Sequence, residues 1–199
     1  MTITIPGETF MTARIAAATA ALVLSQAALG ADTYVSDAAH TYAFFETGHL
    51  GVSWIRGRFN DVQAKVTLDR ATREGSIEAV IRTASIDTAH EARDKHLRSE
   101  DYLDVTKFPT MSFRSTRLKF DGDKLVAAEG ELTLMGMTKP VTLSLPYFNC
   151  IQHAVTKRDL CGGDARTVIK RSEFGIKRGA NIAMHDEVKI AIQIEAYKQ

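Results

Sequence analysis

From Tyr42 onward the chain reads as a succession of short segments in which apolar and polar residues alternate with a period of two. Tyr42 to His49 and Trp54 to Phe59 flank a glycine-containing connection at Leu50-Gly51, and both look extended. Val62, Ala64, Val66 and Leu68 alternate with Gln63, Lys65, Thr67 and Asp69, the signature of a strand with one wet face. After a turn over Arg70 to Gly75, Ile77, Ala79 and Ile81 repeat the pattern. Met111 and Phe113, Leu132 and Leu134, and Val141, Leu143 and Leu145 continue it, with turns expected at Asp121-Gly122-Asp123 and from Met135 to Pro140. Val188, Ile190, Ile192 and Ile194 form the clearest strand of all. Phe148 to Asp164 shows no periodicity and reads as a polar loop, as does Gly179 to Asp186. About eight or nine short strands with one helix predict a mainly all-β domain, an antiparallel barrel or sandwich.

The helix falls in Ser85 to Phe113, the one stretch that is neither plain strand nor plain loop. Thr88 and Glu91 stand three apart, as in a capping box, and Asp87 adds negative charge at the same end. Glu91 with Lys95 and Asp94 with Arg98 are acidic-then-basic pairs four apart, and Pro109 forbids further helix.

Composition adds an address. Arg14 precedes an apolar run of small residues from Ile15 to Leu24, followed by Ser25 to Ala31. The run is shorter than the roughly 20 residues of a membrane span, so 1–31 reads as a secretory signal peptide, with cleavage near Ala31 or Asp32 and Met11 as the expected start of translation. The expected destination is the periplasm, with residues 32–199 as one domain and no stable membrane insertion. A formal net charge of +1 from 25 basic and 24 acidic residues, with no basic stripe, makes nucleic acid an unsuitable partner. In an oxidising compartment Cys150 and Cys161 suit a disulfide. A redox or metal pair is the alternative, disfavoured because the spacing is not C-x-x-C.

His49, Asp87, His90, Glu91, Arg93 and His96 are residue types from which metal sites and acid–base pairs are built. Their spacing argues against both, since His90 and His96 are six apart and no H-E-x-x-H occurs. No cofactor fingerprint or nucleophile elbow is present either, so the expectation is a protein without catalytic residues, metal or cofactor.

Several motifs, taken in order, resemble the YceI-like family of periplasmic polyisoprenoid- and lipid-binding proteins. They are His49-Leu50-Gly51 with Trp54 and Gly57-Arg58-Phe59, then Ser85-Ile86-Asp87-Thr88 and Arg93 to Ser99. Lys107-Phe108-Pro109 with Phe113 follows, then Gly130 with Leu132-Thr133-Leu134, Gly136 to Pro140, and Arg171 to Gly175. The chain departs from the pattern at Phe148 to Asp164. The resemblance implies a lipocalin-like antiparallel β-barrel of about eight strands whose interior holds a polyisoprenoid or fatty-acyl-type lipid without chemistry. Candidate wall residues are then Phe45, Trp54, Phe59, Phe113, Leu132, Leu134, Leu143, Ile190 and Ile192, with His49, Arg93 and His96 near the mouth to meet a polar or anionic head. An enzyme acting on a hydrophobic substrate, and a stress-response interaction protein with a filled barrel, are the competing classes.

Overall fold

The computed structural model describes Met1, residues 30–179 and residues 185–199. Apart from Met1, Gly30 and Ala31, the expected signal peptide lies outside the described residues, as does most of the expected loop at Gly179 to Asp186.

Among the described residues there are eleven strand segments: β1 (Asp32–Ser36), β2 (Tyr42–His49), β3 (Ser53–Phe59), β4 (Val62–Asp69), β5 (Glu74–Arg82), β6 (Ile86–Asp87), β7 (Thr110–Asp121), β8 (Lys124–Leu134), β9 (Met137–Gln152), β10 (Asp159–Lys170) and β11 (Glu187–Lys198). One α-helix, α1 (Glu91–Arg98), lies between β6 and β7. Every pairing is antiparallel, and the segments merge into longer strands. β1 and β2 run as one broken strand along β11, with Ser36 opposite Ala196 and Tyr42 opposite Gln193. The partner strand is β3 with β4, since Ala43 faces Phe59 and Val35 faces Lys65. β5 and β6 likewise form one strand, interrupted by the 3-10 turn Thr83–Ser85. With β7 to β11 these make an eight-stranded meander, and β11 closes it against β1 and β2, giving a barrel with no free edge along its length.

The alternating pattern is satisfied by this closure, because each strand presents one apolar face and the closed wall buries them together. At one end Tyr34, Leu68, Cys161 and Ala196 are buried against Val66, Leu118, Phe120 and Phe148 and plug the barrel. The other end carries the β2–β3 and β8–β9 turns, α1, and the 3-10 turn Arg171–Phe174 that follows β10.

Two expectations from sequence are corrected. Phe148 to Asp164 is not a polar loop: β9 continues to Gln152 and β10 starts at Asp159, so Cys150 and Cys161 are direct cross-strand partners joined in a disulfide. Gly162, Gly163 and Asn149 hide the alternation there, and a register shift between Asp164 and Arg166 changes its phase. The Met135 to Pro140 turn is shorter than expected. Only Met135 and Gly136 turn, and Pro140 lies within β9 opposite Glu131.

The helix start also differs. Its N-cap is His90, whose Nδ1 accepts from the backbone N–H of Arg93 at 3.2 Å, and Thr88 lies outside the helix. Asp87 Oδ1 accepts from the N–H of Ala89 at 2.8 Å, turning the chain before the helix, while Thr88 is buried against Asp94.

Candidate functional site

Above the plug, the barrel interior holds a cavity of about 390 Å3. Its wall is built by residues spaced two apart on successive strands. Ala43 and Phe45 of β2 face it, as do Ile55 and Phe59 of β3, Ala79 and Ile81 of β5, Met111 and Phe113 of β7, Leu132 and Leu134 of β8, Val141 and Leu143 of β9, and Val188, Ile190 and Ile192 of β11. No Asp or Glu is among the lining residues. Gly57 allows the wall to close at β3, because a Cβ there would lie 2.6 Å from Phe45 Cζ and 2.7 Å from Thr88 Cγ2.

Polar groups gather at the end that carries α1. Arg93, His96 and Tyr102 line the cavity on the helix side, His49 at the end of β2, and Arg171 in the 3-10 turn Arg171–Phe174. The His96 side chain is 49% exposed, so the cavity reaches the surface beside it.

Arg93, His96 and Arg171 are held by their neighbours. Arg93 donates from Nε to Thr88 Oγ1 at 2.8 Å and from Nη2 to the Thr88 carbonyl at 2.7 Å. Thr88 in turn donates from its N–H and its hydroxyl to Asp94 Oδ1, so the helix, the segment after β6 and the guanidinium are fixed together. Arg98 ties the helix down from its other end, donating to the carbonyls of Ala84 and Ile86. His96 Nε2 lies 3.0 Å from Asp101 Oδ2 and its ring stands edge-on to Tyr102. Arg178 Nη1 reaches the other oxygen of Asp101 at 3.4 Å, a link across the opening.

Arg171 is the functional candidate that sequence reasoning missed. It is buried, and it donates to the carbonyls of His185 at 2.9 Å and Arg178 at 2.7 Å. Among the described residues no carboxylate lies within 4.0 Å of either Arg93 or Arg171, although the Arg171 charge adds to the Ser172 hydrogen bond in lowering the Asp186 pKa, and both guanidinium groups line the apolar cavity. Such groups are costly to desolvate and favour an anionic partner. The only sequence signal for Arg171 was its place at the start of the Arg171 to Gly175 motif.

The structure gathers His49, Arg93, His96, Phe45, Phe59, Phe113, Leu132, Leu134, Leu143, Ile190 and Ile192 around one cavity. Trp54 is the exception and is corrected. Ile55 and Phe59 point inward, so Trp54 has the opposite phase and lies on the outer face. It is 42% exposed there, with Lys189 Nζ 4.1 Å from its ring centroid and His185 edge-on.

A model of the YceI-like domain matches residues 34–196. The chain is 39% identical over 166 residues to Protein YceI of Shigella flexneri, covering 80% of this chain and 83% of that one. It is 35% identical over 194 residues to a UPF0312 protein of Ectopseudomonas mendocina, covering 92% and 98%. Among solved structures, Burkholderia cenocepacia BcnA has the same fold, with a TM-score of 0.68 at 23% identity over 80% of this chain and 98% of that one. So does a polyisoprenoid binding domain from Saccharophagus degradans, with a TM-score of 0.61 at 16% identity over 83% and 98%.

Proposed function

The chain belongs to the YceI-like family, and from that premise we propose that it carries or sequesters a long-chain amphiphile of the polyisoprenoid or fatty-acyl type. The chain of the ligand lies in the barrel, and an anionic head meets Arg93 and Arg171. The observation that carries this reading is the polarity of the cavity, apolar through the middle of the barrel with its two guanidinium groups at one end. Apolar area removed from water contributes roughly 25 cal/mol per Å2, so a slender chain is held without any covalent step. The fold shared with a polyisoprenoid binding domain supports the class of ligand. The disulfide supports an oxidising, periplasmic setting. The reading is carriage rather than turnover.

Native mass spectrometry of protein purified from the periplasm, followed by organic extraction, tests this. A copurifying long-chain species released on unfolding is the expected result. A barrel that arrives empty and takes up no added long-chain phosphate or fatty acid contradicts it, and so does conversion of the added lipid to product.

A further inference from the structure

The two ends of the barrel are finished differently. At the cavity end, two turns lie on opposite sides of the mouth, between β2 and β3 and between β8 and β9. Both have the same backbone: Leu50 (φ 53°) with Gly51 (φ 72°), and Met135 (φ 53°) with Gly136 (φ 72°). Two central residues at positive φ mark the type I′ hairpin turn, whose first position favours Asn, Asp or Gly. Here that position holds Leu and Met, residues disfavoured there on backbone grounds. At the plugged end the corresponding left-handed positions are Arg73, Gly122 and Lys157.

At the mouth turns three apolar side chains are exposed, while Met135 packs against the core. Leu50 is 45% exposed, Val52 82% and Met137 40%, and Trp54 stands one strand position behind Val52 on the outer surface. Cations sit just below. Lys189, paired with Glu46 at 3.0 Å, lies over the Trp54 ring, and Lys107 lies over Phe108, whose ring packs against Gly136. Lys139 follows Met137 by two residues, and among the described residues Lys107 and Lys139 have no carboxylate within 4.0 Å. Apolar tips, an indole one step behind them and ammonium groups below form the layered order of a surface that rests on a bilayer.

We propose that the cavity end docks reversibly on a lipid bilayer containing anionic lipid, with Leu50, Val52 and Met137 entering the headgroup boundary. This extends the carrier reading, since it sets the cavity mouth against the membrane from which an amphiphile is taken or to which it is delivered. The plugged end also exposes apolar residues, Val35, Val126, Ile151 and Val155, but they are spread over β1, β8, β9 and the β9–β10 connection, where Arg158 lies over the Tyr197 ring and His153 stands beside it.

Trp54 is the chain's one tryptophan and lies outside the cavity, so its emission reports docking and not filling of the barrel. With phosphatidylethanolamine vesicles containing a minority of phosphatidylglycerol, the emission should shift to the blue, and lipids brominated high in the acyl chain should quench it. Leu50→Asn combined with Val52→Ser should weaken partitioning by about ten-fold. Val155→Ser should leave it unchanged, and circular dichroism confirms that each variant is folded. No vesicle binding, binding that leaves Trp54 unquenched, or binding lost with Val155→Ser and kept in the Leu50 and Val52 variant would each overturn the proposal. Lipid recovered by extraction from protein that does not bind vesicles would leave carriage standing and remove docking alone.

Discussion

Thr88 gives both its backbone N–H, at 2.9 Å, and its hydroxyl to one oxygen of Asp94, a carboxylate buried on α1. The same hydroxyl oxygen accepts from Arg93 Nε, so a single short side chain relays the position of the helix to the cavity guanidinium. Thr88→Val keeps the volume and deletes the hydroxyl. It should cost about 1–3 kcal/mol, because the carboxylate and the guanidinium each lose a buried partner. Thermal unfolding measures that loss. Binding of a long-chain phosphate should weaken along with it, whereas the corresponding fatty alcohol, with no anionic head, should bind as before.

The apolar wall supplies a second prediction. Ala79 faces the cavity from the middle of β5, opposite Phe113. Ala79→Trp should fill space that the ligand chain occupies and remove most lipid uptake, at a stability change of about 1–3 kcal/mol or less, since part of the indole enters existing volume. Val168→Trp, at an exposed position on β10, is the matched control and should leave uptake intact. Equal uptake by both variants would place the ligand elsewhere.

The disulfide acts at the opposite end. Cys161 packs in the plug with Tyr34, Leu68 and Ala196, none of which lines the cavity. Replacing both Cys150 and Cys161 by Ala opens a loop of sequence separation 11, which the chain-entropy treatment values at about 3 kcal/mol. The unfolding midpoint should fall accordingly and become insensitive to reductant. Lipid uptake well below that midpoint should be unchanged.

At the break between β1 and β2, His40 Nδ1 lies 2.7 Å from Asp37 Oδ2. The hydrogen bond to Asp37, with the charge of Glu195 adding to it, raises the His40 pKa above its ordinary 6.5, and the His40 contact lowers the Asp37 pKa below its ordinary 3.8. A raised histidine value contributes stability that is complete below about 6.5 and is lost as pH rises through the folded value. A lowered carboxylate value contributes stability that is complete above about 3.8 and is lost as pH falls through the folded value. The contact is therefore most stabilising between those limits. Both groups are exposed and the effect is small. NMR titration should place His40 above 6.5 in the native chain and return it toward 6.5 in Asp37→Asn.

Strands with one wet face were legible because burial on one side writes itself into every second residue, as in Val62 to Leu68 and Val188 to Ile194. Where the outer face is not polar, or the side chain is absent, that record fades. Cys150, Ile151, Gly162 and Gly163 therefore read as loop although they lie in paired strands. Trp54 was expected in the cavity wall, but the phase set by Ile55 and Phe59 places it outside, a signal available in the sequence. The helix cap was misplaced because Thr88 has the right chemistry for capping yet is used by Asp94, a contact that depends on how the helix folds back. Arg171 was hidden for a related reason. Its place beside the cavity comes from the closure of the barrel, which brings the 3-10 turn Arg171–Phe174 to the same cavity as α1.

The central claim, that one ligand spans from the guanidinium groups into the apolar barrel, is tested most directly by a crystal structure with a long-chain alkyl phosphate brominated at its far end. The account predicts phosphate density within hydrogen-bonding distance of Arg93 and Arg171, and an anomalous bromine peak inside the wall near Phe113 and Leu143. A bromine peak on the outer surface, or a phosphate bound away from both arginines with the chain outside the barrel, would contradict it.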